Sequence, residues 1–541
     1  MSRFWNIIRI LLVPILLFGA LATWAVASPV GSAPDDDFHL ASIWCAQGDQ
    51  PGRCEATSSE THRMVPAAIA VPPCYRDHPD ITSICAGDLD AASALQLQAT
   101  RRGNFTGAYP PVFYAAMSIF IQPKSIPASV VVMRLVNAAL FVALATALYW
   151  LLPLRRRSTL VLSMTATFIP LGIFLIPSVN PSGWAIASAG TLWLALVGCF
   201  ETTGARRWGL AALSAVSAVM GAGSRGDAGL FVAVGAVLAI FLAWRRSRSF
   251  WNWPVIILCA AIIAAGLWSA FGTGMGTGAA TGGFGTSSVS AGAAGSTTST
   301  TTAATPGQEH AGIGLLFWNL INVPSLWLGS LGTWGLGWFD VTLPWIVPAC
   351  TIVVFGFVLL WGMRDSTPRK IIAMTGGVVL LTALPLVILQ KSHVQVGTEV
   401  QPRYLLPLLT MLVAVALFRF GRRIRSLTLT QRILIAALAA VANGASLGIT
   451  VLRYTLGLGT RNSGFNPSRG TVWWWSHLVP TPDIVIALGV VLFACAIFAL
   501  MLWGIHDATE LGAAEVAAAD AASDETGTRP GIATNQSTLA G

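Results

Sequence analysis

The amino-acid sequence predicts an all-α polytopic membrane protein with about twelve transmembrane helices, interfacial helices between some of them, and a large disulfide-bearing first outer loop. Hydrophobic residues make up 54% of the chain, charged residues only 10%, and the mean hydropathy is +0.68. This composition excludes a soluble enzyme. The net charge of +9 comes from short basic clusters between apolar runs, so it indicates membrane topology and not nucleic-acid binding.

The first predicted unit, residues 1–28, is a transmembrane helix. Its apolar run covers residues 4–27, with Arg3 and Arg9 near its start. Basic residues favour the cytoplasmic side, so the N-terminus is expected inside. The run is long for a secretory signal, and we interpret it as an uncleaved helix.

Residues 29–128 are predicted to form an outer loop with an acidic motif, followed by an interfacial helix at 111–122. Half of the eight cysteines lie in this loop, at Cys45, Cys54, Cys74 and Cys85. Four cysteines in an exported loop indicate two disulfides with three possible pairings. A zinc site is the less favoured alternative, since none of the spacings is CxxC.

The remaining chain divides by hydropathy and charge into four parts. Transmembrane helices 2–7 are expected within 129–271, and helices 8–12 within 343–504. Residues 272–342 are interpreted as an outer low-complexity loop with an interfacial segment, and 505–541 as a disordered cytoplasmic tail. The predicted later spans are 129–152, 159–176, 184–200, 208–223, 228–244, 254–271, 344–361, 371–389, 405–418, 433–451 and 484–503. The basic clusters agree with a multi-pass protein of the cell (plasma) membrane with both termini cytoplasmic.

The acidic motif Asp35-Asp36-Asp37, with His39, lies just beyond the first helix. Adjacent carboxylates repel, so a cation, a proton or a cationic ligand is expected nearby. The alternative is a solvated acidic loop or a helix N-cap after Pro34. Other polar candidates also lie in predicted outer segments, at Tyr109, Asn180, Arg225, Asp227, Arg403 and Tyr404. For Arg225 and Asp227, snorkelling to water is an equally weighted alternative to ligand binding.

Any chemistry is therefore predicted on the outer side, where nucleotide sugars are absent. The sequence has no phosphate-binding Gly-Lys-Ser/Thr motif. A transferase there would take its donor from the membrane as a lipid phosphate.

Six short motifs, taken together over residues 1 to about 420, resemble the GT-C superfamily of polyprenyl-phosphate-dependent glycosyltransferases. They are Pro34-Asp35-Asp36 with His39, residues 109–114, Asn180-Pro181, Ser224-Arg225, residues 337–340, and residues 403–407. The chain is more closely similar to a bacterial predicted-membrane-protein family of unknown function with a Pro-Asp-Glu-x-x-His motif in its first loop. Asp36 replaces the Glu of that motif, and Gln401-Pro402 replaces the more usual Gln-Gly.

The resemblance implies transfer of a sugar from a polyprenyl-phosphate donor to a cell-envelope glycan or lipid acceptor. Asp35, with Asp36 as second candidate, would be the general base, and Arg403 and Arg225 would bind the leaving phosphate. The other predicted substrate-binding residues are His39, Tyr109, Asn180, Asp227 and Tyr404. The sequence identifies no cofactor with certainty, and the polyprenyl-phosphate sugar is the expected donor substrate. A divalent metal is left open, with Asp35, Asp36 and His39 as its candidate ligands.

A transporter or flippase for lipid-linked glycan is the principal alternative, because about twelve spans suit a transporter. Against it, the sequence shows no two-half repeat, and the polar residues cluster on one side. A non-catalytic scaffold for envelope assembly is the third interpretation. Membrane lipid is the expected environment in each case, and no nucleic-acid partner is expected.

Overall fold

Long apolar helices dominate the fold, because a helix pairs its own backbone groups where the bilayer offers no water. The computed structural model describes residues 2–122, 124–244, 252–272, 311–420, 427–458, 468, 473–475 and 479–505. Within these ranges, nine helices are long and apolar enough to cross a membrane by length and composition. The prediction of an all-α polytopic membrane protein is confirmed.

The described helices are numbered in chain order. They are α1 (Ser2–Val26), α2 (Asp36–Trp44), α3 (Ala67–Ala70), α4 (Ala92–Leu95), α5 (Val112–Ser118), α6 (Ile126–Leu151), α7 (Leu154–Thr167), α8 (Leu171–Leu175), α9 (Pro181–Glu201), α10 (Gly204–Ala222), α11 (Gly226–Ala243), α12 (Trp253–Leu267), α13 (Ala311–Leu328), α14 (Ile346–Met363), α15 (Pro368–Lys391), α16 (Pro402–Leu417), α17 (Leu429–Leu456) and α18 (Pro482–Ala499). Several begin with proline in the first turn, where its missing N–H costs no helical hydrogen bond.

The first loop carries a small sheet and two disulfides. Strands β1 (Glu55–Ala56), β2 (Arg63–Pro66) and β3 (Leu97–Thr100) pair antiparallel in the order β1-β2-β3. Of the three possible pairings, the structure has Cys45 with Cys54 and Cys74 with Cys85. The two predicted disulfides are confirmed, and each closes a short local segment.

The helix ends define two sides of the bundle. On the side that we call the site side, α1 ends while α9, α11 and α16 begin, and the first loop contacts the starts of α9 and α16 there. On the opposite side, α6 ends and α10 begins, and Arg206 donates from Nε to the carbonyl of Leu151 at 2.6 Å. Arg156 on this side pairs with Glu201. The outward orientation of the site side remains a prediction.

Two predicted segments differ in detail from the structure. The span predicted at 159–176 is divided into α7 and α8 around Pro170, whose ring cannot continue a helix. The segment predicted as interfacial contains α13, and residues 312–333 are long enough to cross a membrane. However, Gly312 accepts from Gln390 and Ser330 donates to the Pro402 carbonyl, so both ends contact the site side. The interfacial interpretation stays a prediction.

The predicted low-complexity loop and cytoplasmic tail lie largely outside the described residues, at 273–310 and 506–541. Two further apolar helical segments, Leu11–Val26 and Pro402–Leu417, are shorter than the nine long ones. The second of these carries Arg403 into the site described below.

Candidate functional site

Asp35 lies at the start of α2 in a left-handed backbone conformation, with φ 59° and ψ 22°. Aspartate tolerates this conformation better than most residues other than glycine. Its main-chain carbonyl accepts from the N–H groups of Phe38 and His39 at 3.0 and 2.9 Å. Its side chain makes no capping hydrogen bond. Asp35 therefore starts the helix through its backbone, and its carboxylate contacts other residues.

The turn between α1 and α2 is fixed by side chains from distant parts of the chain. Arg134 of α6 donates from Nη1 to the carbonyls of Ala25 and Ser28 at 2.9 and 2.7 Å, and from Nη2 to that of Pro29 at 2.9 Å. Further donors are Tyr75 to Val30, Trp338 to Gly31, Asn180 to Pro34 and Trp475 to Val26. Buried carbonyls need such partners, so these bonds set the path of the turn and the position of Asp35.

The central contact of the site is an ion pair between Asp35 and Arg403, the second residue of α16. Arg403 Nη2 lies 2.5 Å from Asp35 Oδ2 and also donates to Tyr404 Oη at 2.9 Å. Arg102, from the first loop, lies 3.6 Å from Asp35 Oδ1. Nε and Nη1 of Arg403 are buried and have no hydrogen-bond partner among the described residues. Asp35 and Arg403 are only 8% and 4% exposed, so the pair is screened from bulk water.

A second arginine, Arg225, also lies against the Tyr404 ring. Arg225, immediately before α11, contacts both carboxylate oxygens of Asp227, at 2.8 Å from Nε and 2.9 Å from Nη2. Its Nη1 donates to Ser182 Oγ at 2.7 Å. The guanidinium carbons of Arg225 and Arg403 lie 4.3 and 4.9 Å from the Tyr404 ring centroid. The ring therefore contacts both cations and fixes their spacing.

The other two aspartates of the motif have different partners. Asp37 pairs with Arg102, whose Nη2 donates to Oδ1 at 2.9 Å. Asp36 Oδ2 accepts from the Ala33 N–H at 3.1 Å and lies 3.9 Å from Arg134. All three carboxylates are buried, so the solvated-loop alternative does not describe them. Only Asp35 contacts Arg403.

The rings of His39, Tyr109 and Tyr114 pack together near Asp35. His39 Nδ1 lies 3.0 Å from Tyr114 Oη, and the ring centroids of His39 and Tyr109 are 5.8 Å apart. Asn104 holds Tyr109 by accepting from its N–H at 2.7 Å and donating to its carbonyl at 2.8 Å. Both polar atoms of the Asn104 side chain are therefore hydrogen-bonded to the Tyr109 backbone.

Charge and burial give the groups of the site different protonation states. Burial alone would raise the pKa of Asp35, but the charges of Arg403 and Arg102 hold that pKa below its ordinary value. Burial lowers the pKa of His39 to about 3 against the attraction of Asp35, so the imidazole is neutral at pH 7. Burial also raises the pKa of Tyr109. At neutral pH, Asp35 is an ionised acceptor beside a neutral imidazole and a neutral phenol.

Asp36 is electrostatically distinct from Asp35. Burial raises its pKa to about 7, against the opposing effects of the Arg134 charge and the Ala33 N–H. Arg134 is already directed at three backbone carbonyls and comes no closer than 3.9 Å to Asp36. Asp36 is thus poised between its neutral and ionised forms near pH 7.

Most of the residues predicted from the sequence come together. One network contains Asp35, His39, Tyr109, Arg225, Asp227, Arg403 and Tyr404. Asn180 is adjacent but supports the backbone: it donates to the Pro34 carbonyl at 2.6 Å and accepts from the Ser182 N–H at 2.9 Å. Asp36 contacts the Arg134 side of the turn. Within the described ranges, no three His, Cys, Asp or Glu side chains are grouped to hold a metal ion.

Sequence reasoning missed four contributors: Arg102, Tyr114, Arg134 and Ser182. The role of Arg134 could have been predicted, since burying an isolated arginine within an apolar span costs free energy unless it has polar partners inside the protein. Arg102 lies in a polar loop, where an arginine resembles any solvated cation. Tyr114 lies within the 109–114 motif but was given no role, and Ser182 resembles an ordinary helix residue in sequence; the role of each is identified by its contacts.

Arg453 of α17 forms another buried ion pair and also contacts the first loop. Arg453 Nη2 lies 2.7 Å from Asp340 Oδ2 and also donates to the carbonyls of Tyr75 and His78 at 2.8 Å. Asp340 lies two residues beyond Trp338, which donates to the Gly31 carbonyl at 2.9 Å. The pair links the disulfide-bearing loop, the turn before α2 and α17.

Comparison with known proteins gives a family match to most of the chain. The profile of the family described as "Predicted membrane protein (DUF2142)" matches residues 17–413. The chain belongs to this DUF2142 family. The matched range contains the acidic motif and Arg403, and therefore both partners of the central ion pair. No curated protein and no solved structure matches the chain. The DUF2142 description identifies a membrane protein and specifies no reaction.

Proposed function

We propose that this DUF2142 protein is an integral membrane glycosyltransferase. It would move a sugar from a polyprenyl-phosphate donor to a cell-envelope glycan or lipid acceptor on the outer face of the cell membrane. The observation that supports this proposal most is the buried Asp35–Arg403 pair, in which the arginine retains unpartnered donors. It combines a carboxylate that accepts a proton with a cation that binds a phosphate.

The proposed reaction assigns a role to each charge. The acceptor hydroxyl oxygen attacks the anomeric carbon of the donor, and Asp35 takes the hydroxyl proton. The bond from that carbon to the phosphate oxygen breaks, and its electron pair remains on the lipid phosphate. Arg403, with Arg225 also against the Tyr404 ring, stabilises the growing negative charge. No metal is needed to balance this step.

Asp35 is favoured over Asp36 as the base because of what each contacts. Asp35 lies against Arg403 and has Tyr109 and His39 nearby. Asp36 is fully buried and lies against Ala33 and Arg134. A general base must reach the proton that it removes. The reacting hydroxyl lies next to the donor phosphate, so the carboxylate beside the phosphate-binding arginine is the better candidate.

A lipid substrate is also supported by a groove within the bundle. The groove has a volume of about 430 Å³ and extends from Arg157, on the opposite side, towards Ile176, near the site side. Its lining is mainly apolar and includes Leu17, Phe141, Met164, Phe168, Phe493 and Ile497. Such a lining suits a hydrocarbon chain.

The same groove supports the second candidate, a flippase for lipid-linked glycan. A flippase must also move a polar headgroup across the bilayer, which calls for polar groups along the route. The groove is apolar for most of its length, so lipid binding is better supported than headgroup passage. Protein in liposomes separates the candidates: transfer makes a new glycosidic bond, whereas flipping changes only the leaflet that holds the lipid.

Purified protein with a polyprenyl-phosphate sugar and an envelope acceptor tests the proposal. Asp35→Asn keeps size but cannot accept the proton, so the transfer rate should fall on the order of a hundredfold or more. Arg403→Lys keeps charge without the planar guanidinium, and should weaken donor binding as well as turnover. Asp49→Asn, at an exposed aspartate of the same loop, is the matched control. Full transfer by a folded Asp35→Asn variant would exclude Asp35 as the base.

A further inference from the structure

Within the described part of the chain, the guanidinium of Arg403 is incompletely satisfied. A guanidinium carries five N–H groups, of which Nη2 holds two. Nη2 donates to Asp35 and to Tyr404. The three N–H groups on Nε and Nη1 are buried without an acceptor among the described residues. Buried donors are nearly always paired in proteins, so this arrangement is incomplete without an additional acceptor.

Arg225 provides the comparison within the same site. Each of its three nitrogens has a partner: Nε and Nη2 contact the two oxygens of Asp227, and Nη1 contacts Ser182. Its charge is therefore matched by a carboxylate through two contacts. Arg403 contacts its own carboxylate through one nitrogen, and that carboxylate is also approached by Arg102 at 3.6 Å. The Asp35–Arg403 pair is accordingly the one that a competing anion can exchange.

We propose that an anionic phosphate headgroup binds the unpartnered N–H groups of Arg403 and thereby weakens the ion pair between Arg403 and Asp35. We call this change of partner the exchange. This inference rests on the proposed function, and it deepens that function by giving the two substrates an order. While Asp35 is held by Arg403, it is a poor proton acceptor. Once the phosphate shares the arginine, Asp35 becomes available to the acceptor hydroxyl, so the donor binds first.

The surrounding charges agree with such an exchange. Arg403 is the strongest of the cations that lower the pKa of Asp35 against the effect of burial. A phosphate that partly neutralises Arg403 would let that pKa rise and make Asp35 a better base. Access to the buried nitrogens requires a side chain to move. Arg102, whose side chain is 20% exposed, is the arginine of the Asp35 cluster that is open to solvent.

Equilibrium binding tests the exchange without any transfer reaction. The probe is geranyl phosphate, a short isoprenyl phosphate, titrated into the detergent-purified full chain by calorimetry. Inorganic phosphate is the second probe, and geraniol is the uncharged control. Tighter binding of geranyl phosphate than of inorganic phosphate would identify a lipid headgroup as the ligand. Binding of inorganic phosphate alone would overturn that assignment.

The decisive variant is Asp35→Asn, which removes the competitor of the phosphate. Binding of geranyl phosphate should become about tenfold tighter, because Arg403 no longer pairs with a carboxylate. Arg403→Gln should weaken binding at least about tenfold. Asp340→Asn removes a carboxylate from the buried pair with Arg453, and Asp49→Asn removes an exposed one. Both make the same change in net charge and should leave the affinity within about twofold.

Each outcome has a separate meaning. Unchanged or weaker binding by Asp35→Asn, in protein whose thermal unfolding shows that it is folded, would overturn the exchange. The same result for Asp340→Asn as for Asp35→Asn would reduce the effect to net charge and would also overturn it. If binding follows the expected pattern but no sugar is transferred, the proposed function fails while the exchange stands. If transfer occurs and Asp35→Asn does not bind more tightly, only the exchange fails.

Discussion

Replacement of Asp36 by asparagine should stabilise the protein at alkaline pH, although it removes a carboxylate beside an arginine. Asp36 is fully buried, and its Oδ1 has no hydrogen-bond partner among the described residues. Arg134 lies 3.9 Å away but donates to three backbone carbonyls. An ionised Asp36 is therefore poorly compensated, and burial raises its pKa to about 7.

The size and sign of the effect follow from linkage between proton binding and folding. The ordinary pKa of 3.8 applies in the unfolded chain, and about 7 applies in the folded protein. Between these values the folded state retains a proton that the unfolded state has lost, so stability falls as pH rises through this window. At 1.36 kcal/mol per pKa unit, the full loss approaches about 4 kcal/mol above pH 7. Asparagine resembles the protonated carboxyl group and cannot ionise, so the variant avoids this loss.

Thermal unfolding in detergent, followed by tryptophan fluorescence at pH 5 and pH 8, measures the difference. The wild-type Tm should fall between these pH values by several degrees more than that of Asp36→Asn. The exposed-site control Asp49→Asn should follow the wild type.

The opposite result would refute this reasoning. If Asp36 were an ionised partner of Arg134, its replacement would leave a buried cation unpaired. Asp36→Asn would then be less stable than the wild type at pH 8, by about 3–5 kcal/mol. A difference between the two proteins that does not change with pH would exclude the titration of Asp36 as its cause.

Three further predictions concern the framework around the site. Arg134→Lys should destabilise the protein by about 3 kcal/mol or more, measured by thermal unfolding, because lysine cannot satisfy three buried carbonyls with the same geometry. A Cys74→Ser/Cys85→Ser double variant removes a disulfide between residues 11 positions apart, and its free energy of unfolding should be lower by about 3 kcal/mol. Free thiols at both positions in unreduced wild-type protein would contradict the pairing. An impermeant thiol reagent on intact cells should label Ser290→Cys and not Ser523→Cys; the reverse pattern would invert the predicted topology.

The fold class was predictable because the membrane imposes it. Apolar length and basic clusters depend only on local composition, and they locate most of the long helices to within a few residues. The first-loop disulfides were also predictable in number, but their pairing was not, since three arrangements were open. The break at Pro170 was missed because hydropathy does not distinguish a continuous helix from two helical pieces. Length and polarity alone likewise do not determine whether α13 crosses the bilayer.

The candidate site was predictable in its residue types and only partly in its contacts. Asp35 and Arg403 were both identified as candidates, yet they are 368 positions apart and no local pattern joins them. Asn180 was identified for a ligand-binding role, but its side chain supports the turn at Pro34. Arg102 was passed over because an arginine in a polar loop resembles any solvated cation. A contact between distant segments depends on tertiary packing, which periodicity and composition do not report.

The divergence of Asp35 and Asp36 shows how a single backbone feature can separate two chemically identical neighbours. The left-handed conformation of Asp35 lies at the junction between the turn and α2. Asp35 extends to Arg403, where nearby cations favour its ionised form. Asp36 extends to the Ala33 N–H and lies 3.9 Å from Arg134, where burial favours its protonated form. A run of carboxylates that would repel one another in water is thus accommodated because each one has a different nearest cation: Arg403 for Asp35, Arg134 for Asp36 and Arg102 for Asp37. Of the three, Asp35 is the one beside an arginine whose Nε and Nη1 donors have no partner among the described residues.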